Sequence, residues 1–259
     1  MPDQGARGAI RTRRQPPPFR TASVAEVEEL GPRMLRVVAG GSELCGFATP
    51  EPAASIRVLV PAPGDRLVLP QWNGNEFLMP DGERPLLRTF TPVAVDANSG
   101  LIEFWVVRHP GGAVSGWAET AKPGDPLAIS GPGSGYELPD AARSLLVLGD
   151  ETAIPAVRQL AGVAAQAGLS VEAHVEVVDP GAVLDLGFDV RWHVTLPGAV
   201  AGRRLVEVVD AVAHLDEGVH VWAAGEASAM QAIRKRLFDA LGVERTRTSV
   251  RGYWKPQRG

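Results

Sequence analysis

Apolar and polar residues follow one pattern in the first half of this chain and another in the second half. Between about residues 20 and 140, short alternating runs are separated by prolines and glycines. SIRVLVP places Ile56, Val58 and Val60 on one face, and LIEFWVV (101–107) is rich in β-branched and aromatic residues. These features predict short strands joined by turns. Because no helical period of useful length interrupts them, we expect an antiparallel β-domain, either a sandwich or a barrel.

Strands and helices alternate after Arg143. SLLVLGD is an apolar run typical of a buried parallel strand, and IPAVRQLAGVAAQAG is a helical segment that ends at Gly168. SVEAHVEVVD alternates again, and GVHVWAAGE leads into EASAMQAIRKRLFDALG, a second segment with apolar residues on one helical face. Strands that alternate with helices predict a parallel sheet with crossover helices.

Two of these strands end in short polar motifs, GDET (149–152) and AGEA (224–227). Ligands of open parallel sheets bind in the crevice outside the carboxyl ends of the strands. We therefore expect both motifs to face the same crevice.

Composition narrows the class of protein. The chain has 259 residues, 45% of them apolar, which suffices for two ordinary domains with buried cores. Its net charge of -4 argues against nucleic acid or an anionic membrane as a partner. A single cysteine, Cys45, excludes an intrachain disulfide and a cysteine-ligated metal site, and fits a reducing cytoplasm. No run approaches the length of about 18 apolar residues that a membrane span needs, so we expect no stable membrane association.

The patterns divide the chain into four predicted segments: a flexible N-terminal arm at 1–19, the β-domain at 20–140, the α/β domain at 141–250 and a C-terminal tail at 251–259. The arm contains RGAIRTRRQPPPFR, which is basic but lacks the apolar stretch of a secretory signal. Its composition is typical of a disordered segment. We expect the protein to be a monomer or a weak dimer.

The run LLRTFTP (86–92) combines a cation, two hydroxyls and an aromatic ring within four residues, Arg88 to Thr91. A guanidinium suits phosphate oxygens. Strand alternation places Arg88 and Phe90 on one side and Thr89 and Thr91 on the other, so a bend is needed for all four to reach one ligand. By themselves, these residues are better explained as a surface arginine beside ordinary strand threonines.

The stretch HPGGAVSGW, from His109 to Trp117, offers a second feature suited to phosphate. Gly111 and Gly112 permit close backbone approach, Ser115 offers a hydroxyl, and backbone N–H groups can form an anion-binding nest. A hairpin turn with Trp117 in the core is the simpler alternative for these residues by themselves. Since no second histidine lies at a metal-ligand spacing from His109, we predict no metal site.

Six sequence motifs follow one another along the chain. The first is PRMLRVV together with LCGF, and the others are RTFT, HPGGAVSGW, GDETAIPA, AGEA and the terminal GYWK. Together, from about Pro32 to the C-terminus, they resemble the motifs of siderophore-interacting proteins, flavin-dependent ferric reductases of the ferredoxin-reductase superfamily. The resemblance implies an N-terminal antiparallel six-stranded FAD-binding β-barrel followed by a parallel-sheet, Rossmann-like NAD(P)-binding α/β domain. It also implies FAD as the cofactor, NADH or NADPH as the electron donor, and a siderophore-bound Fe(III) that is released as Fe(II).

The resemblance further implies which residues contact each ligand. The flavin contacts would be Arg88, Thr89, Phe90, Thr91, His109, Gly111, Gly112, Ala113, Val114, Ser115 and Trp117. The nicotinamide contacts would be Gly149, Asp150, Glu151, Thr152, Ala153, Gly225, Glu226 and Ala227. The ferric-siderophore contacts would be Arg251, Trp254 and Lys255. No catalytic acid–base pair is required, because the cofactor carries the redox chemistry.

Specific roles follow from the same resemblance. Arg88 would bind the pyrophosphate, Thr91 would bond the flavin edge near N5, and Phe90 would pack on the flavin ring. Thr152 would donate a hydrogen bond to the nicotinamide ring or its carboxamide. The phosphates of the pyridine nucleotide would be held elsewhere, by Arg234 or by neighbouring backbone.

Three residues qualify these roles. Phe90 stands where most relatives have tyrosine, and Val93 where most have arginine. Without the tyrosine hydroxyl the chain loses a neutral hydrogen bond worth about 0.5–1.5 kcal/mol, and without the arginine it loses a charged one worth about 1.5–3 kcal/mol. We therefore expect it to bind FAD roughly tenfold to a thousandfold more weakly than those relatives. Asp179, at the end of VEVVD, would oppose a 2′-phosphate and favours NADH.

Other functions are compatible with the sequence. The protein could be a flavin reductase that supplies reduced flavin to a partner enzyme. It could be a non-catalytic siderophore-binding protein that has lost its flavin, which Phe90 and Val93 allow. A purely structural role fits the number of motifs least well, and the tail at 251–259 could simply be a last strand with a frayed end.

Overall fold

The structure, a computed structural model, describes residues 15–196 and 198–256. The first part of the chain folds into a seven-stranded sheet in which every described pairing is antiparallel. Its strands are β1 (Phe19–Gly31), β2 (Met34–Gly40), β3 (Ile56–Leu59), β6 (Leu87–Phe90), β7 (Pro92–Asp96), β8 (Leu101–Val107) and β9 (Pro126–Ser130). A small hairpin, β4 (Gln71–Trp72) with β5 (Phe77–Leu78), interrupts the link from β3 to β6, and helix α1 (Ala113–Thr120) joins β8 to β9.

The sheet curls until its two edges meet. Its strands are ordered β6-β3-β9-β1-β2-β8-β7, so β6 and β7 lie at opposite ends of the hydrogen-bonded order. Only Thr91 separates these two strands in sequence. The chain must therefore pass from one edge to the other within one residue, which curls the sheet into an open barrel with a seam at Thr91, where no pairing of β6 with β7 is described. The predicted β-barrel is confirmed, but it has seven strands rather than six, since the bend at Thr91 makes two strands of one extended run.

Alternation along the strands builds the barrel core as predicted. Ile56, Val58 and Val60 are all at most 2% exposed, and LIEFWVV forms β8 with Ile102, Phe104 and Val106 buried. These side chains share one apolar cluster inside the curled sheet. Period-two burial of this kind is what holds the register of a half-buried strand.

The second part of the chain is a parallel five-stranded sheet with an α-helix in three of its four connections, and β11 and β12 are joined by a loop with a short 3-10 turn. The strands are β10 (Ser144–Asp150), β11 (Ser170–Val177), β12 (Arg191–Val194), β13 (Val219–Glu226) and β14 (Thr248–Trp254). The helices are α2 (Ile154–Gln166), α3 (Arg203–Asp210) and α4 (Ala227–Lys235), which continues as a π-helical turn at Arg236–Ala240. The predicted α/β domain is confirmed.

Strand order in this sheet creates a crevice at one place. The order is β12-β11-β10-β13-β14, so the chain builds outward from β10 in one direction and then returns to build outward in the other. The reversal lies between β10 and β13, whose carboxyl ends are Asp150 and Glu226. This is the kind of position at which open α/β sheets bind ligands.

The ends of the predicted segments differ from the observed elements. Strand β14 runs parallel to β13 and spans the predicted boundary at 250, because Val250, Arg251 and Gly252 pair with Ala223, Ala224 and Gly225. Residues 251–254 therefore belong to the sheet rather than to a separate tail. Most of the predicted N-terminal arm, residues 1–14, lies outside the described residues. Within the described remainder, the Pro17 carbonyl accepts a 2.6 Å hydrogen bond from Ser130 Oγ.

The two domains share a continuous apolar contact. Residues Met34, Ala53 and Tyr136 of the barrel region belong to the same buried cluster as the β10–β11 sheet and α2. Burial raises the pKa of the Tyr136 hydroxyl to about 12, which keeps it neutral inside this cluster. Among the residues described here, no helix has both the length and the apolar character needed to cross a bilayer.

Candidate active site

The motif Arg88 to Thr91 ends β6 at the barrel seam. The pairing of β6 with β3 places Phe90 opposite Ile56 and Arg88 opposite Val58, whereas Thr89 lies opposite Arg57. The alternation predicted for this motif is therefore present. The Phe90 ring packs against Phe104, with ring centroids 5.3 Å apart. The ring that we expected to lie on the flavin thus also contributes to the barrel core.

Arg88 is exposed, and its guanidinium donates a 2.8 Å hydrogen bond to the carbonyl of Leu87. Most of its donor groups remain directed to solvent, where an anion could reach them. Among the described residues, no hydrogen bond or ion pair joins Arg88 to the stretch 109–115. A pyrophosphate shared between these two features remains a prediction.

Thr91 connects the barrel seam to the α/β domain. It is 5% exposed, and its side chain lies near that of Tyr253 in β14. Burial raises the pKa of Tyr253, and the nearby Thr91 side chain opposes the rise. The Tyr253 ring packs edge-on against Trp222 at 6.3 Å. Sequence reasoning missed Tyr253, although its place in the GYWK motif was a signal for it.

The stretch HPGGAVSGW is the start of a helix rather than a hairpin turn, since α1 begins at Ala113. A side chain at Gly112 would clash with the imidazole of His109, so the ring packs directly on this backbone. Ser115 is 3% exposed, and its hydroxyl accepts a 3.0 Å hydrogen bond from the His109 N–H. The predicted phosphate-binding hydroxyl therefore already holds the turn that precedes the helix.

The other residues of this motif divide between the helix backbone and the core. Val114 is buried and Trp117 packs against the barrel cluster, because both lie on the inner face of α1. Val114 can therefore reach a ligand only through its backbone N–H group. The first N–H groups of an α-helix have no partner within the helix.

An open cavity of about 480 Å³ lies beside the start of α1. Its wall includes the backbone from Pro110 to Gly112 and the side chains of Arg33, Arg108 and His109. Arg108 is paired with Glu29 at 3.2 Å and with Glu119 at 3.6 Å. Arg33 is paired with Glu151 at 2.8 Å, so the cavity adjoins the end of β10.

These features fit the pyrophosphate of FAD. The N-cap of α1 is Gly112, which provides no side-chain cap, and no acidic residue lies in the first turn. Positions Gly111 and Gly116 face open space. Free N–H groups at the positive end of a helix form a ready anion site, and the two carboxylates of the cavity wall, Glu29 and Glu119, are paired with Arg108. The donor set of the barrel therefore suits a doubly charged phosphate group.

Asp150 joins the carboxyl ends of three strands. It is 7% exposed, and its Oδ1 accepts hydrogen bonds from the backbone N–H of Thr152 at 2.9 Å and from its hydroxyl at 2.5 Å. Its Oδ2 accepts from the N–H of Glu226 at 2.9 Å and from Trp254 Nε1 at 2.7 Å. Burial raises the pKa of Asp150, and these donors oppose the rise. The GDET, AGEA and GYWK motifs thus meet at one carboxylate.

The two glycines of these motifs are required by packing. A Cβ at Gly225 would lie 2.6 Å from Asp150 Oδ2, and one at Gly149 would lie 2.8 Å from the Cβ of Ala153. Gly225 therefore lets the end of β13 approach Asp150, and Gly149 lets α2 pack against the end of β10, so both glycines have a structural role. Ala227 lies against Gly252 of β14, where a Cβ would come within 3.0 Å.

Glu151 and Glu226 are buried and serve the structure. Glu151 accepts from Arg33 and, at 2.9 Å, from the N–H of Val178. Glu226 caps α4 by accepting from the N–H groups of Ser228 and Ala229. Burial alone would raise the pKa of Glu226, but these hydrogen bonds outweigh it and lower the pKa. Neither carboxylate is available as the main contact to a coenzyme.

Thr152 has a different orientation from the one expected. Its hydroxyl donates to Asp150, so toward a ligand it offers oxygen lone pairs rather than a hydrogen. A carboxamide N–H could use such an acceptor. In this structure the hydroxyl hydrogen of Thr152 is therefore engaged by Asp150, and the contact of Thr152 with the nicotinamide stays a prediction.

The predicted substrate residues in and after β14 differ in exposure and in their hydrogen-bond partners. Arg251 donates to the carbonyls of Ser134 and Gly135 in the barrel region, which ties β14 to that loop. Lys255 is exposed just beyond β14, and Trp254 is 37% exposed at the strand end. Lys255 is thus the more exposed cation, whereas Arg251 is held in place by neutral partners.

Two residues considered for the pyridine nucleotide have structural partners. Arg234 donates to the carbonyl of Val250, which fastens α4 to β14. Asp179 accepts a 2.7 Å hydrogen bond from the N–H of Gly181 and caps a short turn. Asp179 is exposed and this bond uses only its Oδ1, so its preference for NADH over NADPH stays a prediction.

Family models match both domains of this chain. Residues 23–136 match the model described as a siderophore-interacting FAD-binding domain. Residues 142–257 match the model described as a siderophore-interacting protein. The first match covers the barrel, and the second covers the parallel sheet with its last strand.

Individual relatives match over nearly the whole chain. The NADPH-dependent ferric-chelate reductase of Escherichia coli is 29% identical over 244 residues, which cover 91% of this chain and 92% of that protein. The ferric vibriobactin reductase of Vibrio cholerae is 28% identical over 233 residues, which cover 86% and 84%. The crystal structure of a siderophore utilization protein from T. fusca superposes with a TM-score of 0.83 at 30% identity, over 95% of each chain. The chain belongs to the siderophore-interacting protein family.

Proposed function

We propose that this protein is a flavin-dependent reductase that passes electrons from NAD(P)H through FAD to Fe(III) held by a siderophore, with release of Fe(II). The observation that carries the proposal is the meeting of two ligand-binding features in one place. The barrel seam at Thr91 lies near Tyr253 of the last strand, and the next residue, Trp254, donates to the Asp150 carboxylate that joins the three strand ends. A flavin held at the seam would therefore face a coenzyme held at the sheet.

FAD, when bound, accepts two electrons from the pyridine nucleotide and releases them singly to ferric iron. The residues of the chain supply position and charge. The exposed guanidinium of Arg88 and the uncapped start of α1 would bind the pyrophosphate. The acceptor oxygen of Thr152 would orient the nicotinamide carboxamide. One hydride carries two electrons, so two ferric ions are reduced for each nicotinamide oxidised.

Charge and exposure support an anionic ferric chelate as the substrate. Lys255 is exposed beside Trp254, and the Arg251 guanidinium is bound by carbonyls that leave its positive charge uncompensated. Cations near a redox site raise the local concentration of anionic substrates. The names of two relatives, a ferric-chelate reductase and a ferric vibriobactin reductase, agree with this substrate class.

The test is to purify the protein, saturate it with FAD and follow NADPH or NADH oxidation with and without a ferric siderophore. Capture of Fe(II) by a ferrous-specific chelator should give two ferrous ions per nicotinamide oxidised. Absence of flavin bands in the visible spectrum after FAD addition would contradict the proposal. Rapid reduction of free flavin without preference for ferric chelates would instead identify a flavin reductase.

A further inference from the structure

Gln159 binds two separate segments of the barrel from a helix of the other domain. It lies in the second turn of α2, and its Oε1 accepts a 2.7 Å hydrogen bond from the N–H of Ala53. Its Nε2 donates a 2.7 Å hydrogen bond to the carbonyl of Pro92. One side chain therefore holds both segments at a fixed distance from α2.

Gln159 connects the two parts of the candidate active site, the barrel seam and the carboxyl end of β10. Pro92 directly follows Thr91, so the bond to its carbonyl restrains the barrel seam. Helix α2 directly follows the 149–153 segment at the end of β10. Because a helix is rigid over one turn, a restraint at Gln159 also sets the position of that segment relative to the seam.

Ala53 shows why a side-chain amide is needed here. It is 1% exposed and has a φ of 54°, the left-handed region, the one such non-glycine residue in the described part of the chain. Strained backbone persists where its surroundings hold it, and a buried N–H requires an acceptor. Gln159 must accept from Ala53 and donate to Pro92 at once. A carboxylate could only accept, and an aliphatic side chain could do neither.

Resting on the proposed function, we infer that Gln159 is a positioning residue that sets the distance between flavin and nicotinamide. The reacting atoms of a hydride transfer must approach to about 3–3.5 Å, and a misplacement of about 1 Å can lower a rate about a hundredfold. Gln159 touches neither ligand site itself. It acts through Thr91 on one side and through the 149–153 segment on the other.

Other contacts keep the domains together when Gln159 is changed. Arg33 pairs with Glu151, Arg251 binds the loop at Ser134, and an apolar cluster spans both domains. Loss of the amide should therefore loosen the seam without separating the domains. We therefore expect Gln159 variants to stay folded, so that their rates of flavin reduction report on the position of the seam.

The experiment compares Gln159→Leu with Gln166→Leu, a matched control at the exposed end of the same helix. Hydrogen exchange at the Ala53 amide is measured in protein without ligands. In Gln159→Leu this exchange should accelerate at least tenfold. With FAD bound, the rate of flavin reduction at saturating NADPH should fall at least tenfold, while the FAD dissociation constant changes less than threefold. Gln166→Leu should match the wild type in all three measurements.

Gln159→Glu tests the bond to Pro92 separately from the bond to Ala53. At neutral pH its carboxylate keeps the acceptor for Ala53 but repels the Pro92 carbonyl. Protonation restores the donor. The rate of flavin reduction, relative to the wild type at the same pH, should therefore rise as the pH is lowered. A merely structural role would not produce this profile.

Unchanged exchange at Ala53 in Gln159→Leu, or a reduction rate equal to that of Gln166→Leu, would overturn the role of Gln159. A flat relative pH profile for Gln159→Glu would overturn it as well. Wild-type protein that binds FAD but is not reduced by NADPH or NADH would instead overturn the proposed function, and the Ala53 exchange would still report whether the bond exists.

Discussion

The indole of Trp254 donates a hydrogen bond from Nε1 to Oδ2 of Asp150 over 2.7 Å, although β13 lies between their two strands. The bond can form because the intervening residue is Gly225, where a Cβ would come within 2.6 Å of that oxygen. The last strand is thereby fixed to the first strand of the sheet at their carboxyl ends. The aromatic surface of Trp254 is held beside the crevice as a result.

Asp150→Asn should lower the free energy of unfolding more than Trp254→Phe does. The new amide would turn a donor toward N–H groups, and each buried donor left unpaired costs about 1–3 kcal/mol. Trp254→Phe removes a donor and leaves none unpaired. Urea unfolding of both variants measures the difference. Equal losses would show that the carboxylate is not the centre of this network.

Arg88→Ala should raise the dissociation constant of FAD at least tenfold, which corresponds to about 1.4 kcal/mol and lies below the value of a good charged hydrogen bond. Arg84→Ala is the matched control, because the Arg84 side chain is 80% exposed and pairs with Glu76. Fluorescence titration with FAD checks the result. If the two variants bind FAD equally well, Arg88 does not hold the pyrophosphate.

Phe90→Tyr should bind FAD as tightly as the wild type or up to about tenfold more tightly, since the added hydroxyl can form one hydrogen bond worth about 0.5–1.5 kcal/mol. The ring itself can keep its contact with Phe104. The same titration measures the change. Loss of FAD binding would mean that the pocket has been rebuilt around phenylalanine.

Lys255→Glu should raise the Michaelis constant for an anionic ferric siderophore, because it replaces an exposed cation near the crevice with an anion. The rate of flavin reduction by NADPH should stay within about threefold, or about 0.65 kcal/mol. Lys235→Glu, at the end of α4, is the control for a general change of charge. A collapse of flavin reduction with unchanged chelate affinity would place Lys255 at the nicotinamide instead.

Stability should fall as the pH drops below about 6.5. Burial lowers the pKa of His193 below its ordinary value, and the charges of His174 and Arg204 lower it further. Below the ordinary histidine pKa of about 6.5 the unfolded chain therefore binds more protons than the folded protein, which weakens folding. Urea unfolding at several pH values measures this slope.

His193→Gln should flatten the slope without abolishing it, because burial also lowers the pKa of His220. An identical pH dependence in the variant and the wild type would show that His193 does not contribute.

The sequence by itself determined the two domains, the order of their elements and the family. Alternation in SIRVLVP and LIEFWVV, and the apolar run SLLVLGD, report burial over a few neighbouring residues, so local pattern is enough to predict β3, β8 and β10. The crevice at GDET and AGEA could also be predicted, because the carboxyl ends of parallel strands meet at one edge of the sheet.

Only the tertiary structure decided which polar groups remain free for a ligand. Glu151, Glu226 and Thr152 look available in sequence, but their partners come from Arg33, from the start of α4 and from Asp150. Tyr253 and Gln159 matter because they lie next to barrel residues that are more than 60 residues away in the sequence. Hydrogen bonds between distant segments depend on how two domains dock, and a local pattern of residues carries no record of that docking.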